Sequence, residues 1–230
     1  MTTGSGTAVA ERFFTGNSAT YDQIAALTTL GLDGWWKRII LARIPEASRT
    51  IVDQACGTGI LTFKIARRFP HARVIGVELQ DGYLEVARKR AQVLQLTNVE
   101  FILGRAEDVV LGEGVDCITS SYLAKYADLE RLVANARTML RRDGVLIAHE
   151  LTYPAGPVRS RLWRLHLRLL QTYGARRYPE WKTAFCELPG LLRESRWVEA
   201  LTAALGRNHF AAIEARRLTL DASAIVTARR

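Results

Sequence analysis

Long apolar runs are absent from the sequence. In 230 residues, no such run approaches the roughly 20 residues that are needed to span a bilayer. Residues 1–10 are small and polar and lack the charged start and apolar stretch of a signal peptide, so none is expected. Any contact with a membrane is therefore expected to be peripheral.

Cysteine is also scarce. Cys56, Cys117 and Cys186 lie far apart and form no CxxC pair. Such a pattern is typical of reduced thiols in a cytosolic protein. We therefore expect a cytoplasmic location and no bound metal.

Acidic residues are outnumbered by basic ones. The chain has 23 Asp and Glu against 32 Lys and Arg, which gives a formal net charge of +9. This excess favours an anionic partner, and nucleic acid, an acidic membrane surface and an anionic ligand all fit it. Charge alone does not choose among the three.

The sequence does contain a regular alternation of strand and helix patterns. Apolar segments predict strands at 50–53, 73–78, 99–103, 115–120 and 144–151, and helices fit between them at 60–69, 82–96 and 128–141. Asp128 is the predicted N-cap of the third helix, with Gly144 just beyond its end. Further helices are predicted at 158–173 and 191–205, and paired strands at 210–220 and 223–228. This alternation predicts an α/β fold with a parallel sheet covered on both faces.

The same pattern gives a domain organisation. Residues 1–12 are expected to form a flexible tail, and residues 13–230 a single domain. Within this domain, residues 13–45 form an N-terminal helical cap that stops at Pro45, and residues 155–206 form a helical lid insertion. The sequence contains no internal repeat.

A glycine turn follows the first predicted strand. Gly57-Thr58-Gly59 allows a tight backbone turn against which a ligand can lie, and Asp53 precedes it as a possible partner for an ammonium group. Glu78 ends the second strand, about 20 residues later, where a carboxylate can accept both hydroxyls of a ribose. These features predict an adenosine-containing ligand.

A third glycine is missing from this turn, because Ile60-Leu61-Thr62 follow Gly59. Dinucleotide-binding turns use that glycine for close helix packing beside a pyrophosphate. An acid before the turn suits instead a ligand with an ammonium group and no pyrophosphate. At these residues, and at Val77 to Arg88, the sequence resembles class I S-adenosylmethionine-dependent methyltransferases.

The resemblance extends over residues 14–229. Tyr21 to Lys37 is similar to the N-terminal signature YDxMNDxMSxGLHRxWR of the UbiE/MenG quinone C-methyltransferases, and residues 210–228 resemble that family's ending. The resemblance implies a Rossmann-like, seven-stranded sheet of order 3-2-1-4-5-7-6 with strand 7 antiparallel, and S-adenosylmethionine as cofactor. Strand ends and resemblance together give the candidate cofactor-binding residues Tyr21, Asp53, Gly57, Thr58, Gly59, Glu78, Leu79, Arg105, Ala106, Ser120 and Ser121.

The substrate half departs from the family pattern. Ala25-Ala26 replace Asn and Asp, Asp33-Gly34 replace His-Arg, and Arg105 stands where the family has Asp or Asn. After the fourth strand, Lys125 replaces an Arg and Tyr126 an Asn. We interpret the chain as a divergent member that acts on an apolar aromatic, quinol-like substrate.

Methylation of a phenol-like acceptor requires a positioned base or cation. Lys125 is the first candidate, as a cation or as a base, although it fits an exposed lysine equally well. Tyr126 either orients the hydroxyl or forms the wall. His166 lies within an apolar arc of the predicted helix 158–173, where it is a second candidate base or a packed residue.

The helix over Val158 to Tyr173 has two interpretations. Its leucines can pack on the domain as a lid, which we favour, or its arginines can bring it to an anionic membrane as a secondary role. An RNA methyltransferase and a cofactor-binding protein without transferase activity remain alternative functions, although no separate RNA-binding module is visible. A homo-oligomer is compatible with the sequence.

Overall fold

The computed structural model describes residues 5–112 and 114–230. Its centre is a seven-stranded sheet of order β3-β2-β1-β4-β5-β7-β6. The strands are β1 (Thr50–Gln54), β2 (Arg73–Glu78), β3 (Val99–Leu103), β4 (Val115–Ser121), β5 (Leu140–Leu151), β6 (Ala211–Leu218) and β7 (Ser223–Arg229). The first five strands are parallel, and β7 is antiparallel to both of its neighbours. The predicted strand order and fold class are confirmed.

The order of the strands decides where a ligand can bind. The first strand lies between β2 and β4, and the chain extends the sheet from β1 first to one side and then to the other. A crevice opens outside the carboxyl ends of the strands at such a switch point. Gln54, Glu78 and Ser121 end three strands at this edge.

Helices cover both faces of the sheet. They are α1 (Ser5–Phe14), α2 (Tyr21–Thr28), α3 (Asp33–Leu41), α4 (Ile60–Arg68), α5 (Asp81–Val93), α6 (Leu129–Met139), α7 (Pro157–Leu169), α8 (Ala175–Arg177), α9 (Lys182–Glu194) and α10 (Trp197–Arg207). A π-helical turn, Leu170–Gly174, joins α7 to α8. The carboxylate of Asp128 accepts the backbone N–H of Arg131 at 3.3 Å, which confirms the predicted N-cap of α6.

Neighbouring residues of the central strands belong to opposite cores. Ile51 packs with Trp36 and Ile65 on one side of the sheet, whereas Val52 packs with Met139 and Leu201 on the other. Successive side chains of a strand point to opposite faces, so this division requires helices on both faces. Each central strand contains a run of apolar residues because both of its faces are buried.

Two predictions about the helices are wrong. The expected flexible tail over residues 1–12 is helical from Ser5 in the described part, because Phe13 anchors α1 in the core. The single helix predicted over 191–205 is two helices, separated at Arg196, whose φ of +37° ends helical geometry. The break lets Trp197 turn inward and donate its indole N–H to the carbonyl of Leu151 at 2.9 Å.

The apolar arc of α7 is also divided, contrary to the sequence expectation of one inward face. Trp163 and Leu167 are buried in the core, whereas Leu162, Leu165 and Leu169 are exposed. Among the described residues, no helix is long and apolar enough to cross a bilayer.

Candidate active site

The turn between β1 and α4 has a backbone that requires glycine. Gly57 has a φ of +58° and Gly59 a φ of +88°. A Cβ at Gly59 would lie 2.4 Å from Cζ of Phe63, so a side chain there would displace the Phe63 ring. Gly57, by contrast, lines a cavity at the sheet edge. The two predicted glycines therefore differ in role, since Gly59 shapes the turn and Gly57 forms its surface.

Glu78 is held in place by the backbone around it. Its carboxylate accepts the N–H of Gly57 at 2.9 Å and the N–H of Gln80 at 3.0 Å. Burial raises the pKa of this carboxyl, while these backbone hydrogen bonds act in the opposite direction. Glu78 lines the same cavity as Gly57, so its carboxylate is oriented towards the space where a ribose would bind.

Two adjoining cavities follow the carboxyl ends of β1, β2 and β4. The first, of about 560 Å³ including its open mouth, is lined by predicted residues Tyr21, Gly57, Glu78, Leu79 and Ser121. The second, of about 360 Å³, is lined by Leu79, Arg105 and Ala106. Residues that the sequence singles out for cofactor binding thus meet at these two cavities.

Arg105 has donors available to a ligand. Its Nε and Nη2 are buried and have no hydrogen-bond partner among the described residues, although Glu107 and Asp108 lie 3.7 Å and 3.6 Å from the guanidinium. Buried donors are normally paired. An adenine in this second cavity would supply ring-nitrogen acceptors, so the unpaired donors fit the adenosine part of the expected cofactor.

Asp53 lies beneath the turn and does not line these cavities. Its Oδ2 accepts the hydroxyl of Thr62 at 2.6 Å and its Oδ1 the hydroxyl of Thr119 at 3.0 Å. Burial raises the pKa of Asp53 to about 6. The expected partner of an ammonium group is thus a buried acceptor that connects β1 to α4 and β4.

Two further predicted residues lie behind the cavity surface. Thr58 is buried, and its hydroxyl donates to Asp22 of α2 at 2.6 Å, which ties the turn to the N-terminal cap. Ser120 is buried in β4, while the neighbouring Ser121 reaches the cavity and lies 3.2 Å from Nδ1 of His149.

A third cavity, of about 570 Å³, is predominantly aromatic and apolar. Its lining includes Ile24 and Thr28 from α2, Lys125 from the segment after β4, and Phe185 and Leu188 from α9. Four aromatic residues line both this cavity and the cavity of Glu78, namely Phe14, Tyr21, Tyr122 and Tyr126. These four rings form the partition between the two cavities, which we call the cofactor side (the cavity of Glu78) and the acceptor side (the apolar cavity).

Lys125 is buried beside a carboxylate. Its Nζ donates to Oε2 of Glu150 at 2.8 Å and lies 4.3 Å from the centroid of the Tyr126 ring. Burial lowers the pKa of Lys125 and raises that of Glu150, and their mutual attraction opposes both shifts. The alternative of an exposed lysine is therefore wrong, and Lys125 is the charged group that lines the acceptor cavity.

Sequence reasoning missed most of the polar groups around Tyr122. The hydroxyl of Tyr122 donates to Oδ1 of Asp33 at 2.7 Å, and Asp33 also forms a buried ion pair with Lys37. Tyr122 itself has a φ of +69°, which is unusual for a bulky residue. The spacing of Asp33 and Lys37, four residues apart on a helix, was the available signal. Glu150 was foreseeable as well, because parallel neighbours β4 and β5 end at the same edge.

His166 does not line the acceptor cavity. Its Nε2 lies 2.9 Å from the carbonyl oxygen of Thr28, and its ring packs against Trp163. This contact joins α7 to α2 behind the cavity wall. The geometry agrees with the packed-residue interpretation of His166 and places Lys125 and Tyr126, not His166, at the site.

Helix α9 is a part of the cavity wall that the sequence did not indicate. Ala184, Phe185 and Leu188 line the cavity, although the helical pattern was placed only from residue 191 onwards. Pro189 lies inside this helix and obscures its periodicity.

Within the described residues, no group of three His, Cys, Asp or Glu side chains could hold a metal ion.

Comparison with known proteins gives a consistent assignment. Residues 51–144 match the family described as Methyltransferase domain. The demethylmenaquinone methyltransferase of Thermotoga maritima is 29% identical over 148 residues, which cover 63% of this chain and 62% of that protein. The protein of the same name from Chlorobaculum parvum is 26% identical over 217 residues, which cover 91% of this chain and 87% of the relative.

The fold comparison agrees. A geranyl diphosphate C-methyltransferase from Streptomyces coelicolor A3(2), solved with Mg²⁺, geranyl diphosphate and S-adenosyl-L-homocysteine, has a TM-score of 0.65 and 16% identity. It is matched over 86% of this chain and 79% of its own. The chain spans 62% of the length of the Thermotoga relative, so its acceptor is a separate question. With the glycine turn, the strand order and the oriented Glu78, these findings show a match to a methyltransferase domain over residues 51–144, a class I methyltransferase fold, and similarity to proteins named demethylmenaquinone methyltransferase.

Proposed function

We propose that the protein transfers the methyl group of S-adenosylmethionine to an apolar, quinol-like aromatic acceptor that carries a phenolic hydroxyl. The observation that carries the proposal is the acceptor cavity, in which apolar and aromatic walls surround the Lys125–Glu150 pair. Apolar sites with a few placed polar groups orient ligands of this kind. The relatives named demethylmenaquinone methyltransferase support the same substrate class.

The cofactor would be held from three directions. Glu78 would accept the ribose hydroxyls, the backbone at Gly57 would approach the ligand closely, and Arg105 would donate to the adenine ring. When bound, the cofactor supplies an electrophilic methyl group on a sulfonium. Phe14, Tyr21, Tyr122 and Tyr126 would exclude water from the region between this methyl group and the acceptor.

The Lys125–Glu150 pair would ionise the acceptor by a relay. The acceptor hydroxyl gives its proton to Nζ of Lys125 as Lys125 passes a proton to Glu150, whose pKa is raised by burial. The products are an acceptor oxyanion, a lysine ammonium beside it and a neutral Glu150 carboxyl. Such proton transfer is worth about 10²- to 10⁴-fold in rate. Tyr126 lies against Lys125 and would pack on the acceptor ring.

The proposal is tested by transfer of a tritiated methyl group from S-adenosylmethionine. Candidate acceptors are a prenylated demethylmenaquinol, an unprenylated naphthoquinol, a simple catechol and total RNA. We expect label in one of the quinols and none in the RNA. Label in RNA would contradict the proposal, and so would binding of S-adenosylhomocysteine without turnover on any phenolic acceptor.

A further inference from the structure

Helix α7 carries an apolar stripe on its outer face. Val158 is 70% exposed, Leu162 60%, Leu165 56% and Leu169 57%. On an ideal helix of about 3.6 residues per turn, these four positions lie within about 60° of one another. Tyr173, which is 66% exposed, follows in the π-helical turn. Single exposed apolar residues need no explanation, but a row of them indicates a contact surface.

The stripe is not an unfinished part of the core. Trp163 and Leu167 of the same helix are already buried with Trp181 and Phe185, and His166 binds the backbone of α2. The inner face of α7 is thus packed against the helices that wall the acceptor cavity. The outer leucines remain exposed although the helix is anchored.

Unpaired cations accompany the stripe. Residues 157–177 contain no acidic residue and the six arginines Arg159, Arg161, Arg164, Arg168, Arg176 and Arg177. Among the residues that the structure describes, Arg159 has an acidic partner, Asp221, whereas the other five form no ion pair. Some exposed arginines on other parts of the surface pair with acids, as Arg73 does with Glu100, whereas Arg67 and Arg142 form no ion pair among the described residues.

Charge decides which partner this face fits. A second copy of the same face would bring arginines against arginines, and an RNA backbone would leave the leucines in water. The interface of an anionic bilayer offers both phosphates for the guanidinium groups and acyl chains for the leucines. Long arginine side chains can reach the phosphates while their stems cover apolar surface.

We propose that the outer face of α7 docks the protein on an anionic membrane surface. Leu162, Leu165 and Leu169 insert at the boundary of the acyl chains, and Arg161, Arg164 and Arg168 contact the lipid phosphates. The inference does not depend on the identity of the acceptor, because binding to lipid requires no turnover. It also goes beyond the proposed reaction, since it assigns a partner to a surface outside the site.

Flotation with vesicles tests the apolar part of the surface. The full chain is mixed with vesicles of phosphatidylcholine containing phosphatidylglycerol, and the double variant L162S/L165S is compared with V93S/V110S. All four side chains are more than half exposed, so neither variant disturbs the core. We expect L162S/L165S to lower the partition coefficient on the order of tenfold, and V93S/V110S to leave it within twofold.

The charged part of the surface is tested with two variants of equal net charge. The variant R161Q/R168Q removes two arginines beside the stripe, and R67Q/R142Q removes two exposed arginines elsewhere. We expect about fivefold weaker binding for each arginine lost beside the stripe and a much smaller change in the control. Binding should also weaken with added salt and on vesicles of phosphatidylcholine alone.

Four results would overturn the inference. The wild-type chain would not float with anionic vesicles, or it would float equally well with neutral ones. Alternatively, both members of each variant pair would behave alike, which would indicate attraction by net charge only. A dimer that is lost specifically in L162S/L165S would assign the stripe to contacts between copies instead.

Discussion

The cofactor side and the acceptor side of this site are built in different ways. The cofactor side is formed by backbone groups and by residues at strand ends. For example, the N–H groups of Gly57 and Gln80 hold the Glu78 carboxylate in place. On the acceptor side, side chains from α1, α2, α9 and the segment after β4 converge over long sequence distances. In the function we propose, cofactor recognition would therefore be a property of the sheet edge, whereas acceptor recognition would depend on how the added helices pack on it.

A change at Lys125 tests most directly whether the acceptor side can be altered without affecting the cofactor side. In Lys125→Met, turnover with the quinol acceptor should fall by about 10²- to 10⁴-fold because the relay to Glu150 is lost. The Kd for S-adenosylhomocysteine should stay within about threefold, since Lys125 lines only the acceptor cavity. Radiometric turnover and calorimetry provide the two readouts.

Two further variants separate chemistry from folding. Lys125→Met/Glu150→Gln removes the unpaired buried carboxylate, so it should recover stability without recovering turnover. Lys89→Met, on the exposed surface of α5, should change neither quantity. Wild-type turnover in Lys125→Met would remove the relay from the mechanism.

The second prediction concerns the cofactor side. Glu78→Ala should raise the Kd for S-adenosylhomocysteine about 100-fold, because two hydrogen bonds to a carboxylate are lost and the turn at Gly57 loses its acceptor. Glu85→Ala, an exposed change on α5, is the matched control. A titration in which Glu78→Ala binds as tightly as the wild type would contradict the ribose assignment.

The third prediction uses the pH dependence of stability to test the burial of Asp53. Burial raises the pKa of Asp53 from the usual 3.8 to about 6, so the folded chain holds this proton more tightly than the unfolded chain. The stabilisation is complete below pH 4 and is lost as the pH rises through 6. The free energy of unfolding of the wild type, relative to Asp53→Asn, should therefore fall by roughly 2.4 kcal/mol between pH 4 and pH 7.

Urea denaturation across that pH range measures the difference, with Asp143→Asn as the exposed control. Asp53→Asn should keep its affinity for S-adenosylhomocysteine within about threefold, since Asp53 contacts Thr62 and Thr119 and does not line the cavity. Parallel stability curves would contradict the burial argument. A large loss of affinity would return Asp53 to the ligand surface.

The same contrast explains what could be predicted from the sequence. The cofactor side follows from short-range rules, because a glycine turn after a strand and an acid at the next strand end determine their own geometry. Glu78 and Gly57 were predicted in this way, whereas the strand order was implied by the resemblance to a known family. The acceptor side needs tertiary information, and for this reason the burial of Lys125, the outward leucines of α7 and the wall formed by α9 escaped the sequence patterns.

Asp53 illustrates a subtler limit. The sequence correctly places it at the end of β1, but only the neighbouring hydroxyls of Thr62 and Thr119 decide that its carboxylate points inward. Strand position gives the location of a residue along the edge. The direction in which the Asp53 carboxylate points depends on partners that lie nine and 66 residues away in the sequence.

The position of α1 over the three cavities affects how ligands enter and leave them. Thr7, Ala10 and Phe14 line the cavities, and Gly6 packs so closely on Tyr126 that a Cβ would lie 2.1 Å from its carbonyl oxygen. One short helix therefore covers all three compartments at once. Because α1 borders all three cavities, we expect its displacement to open them together rather than one at a time.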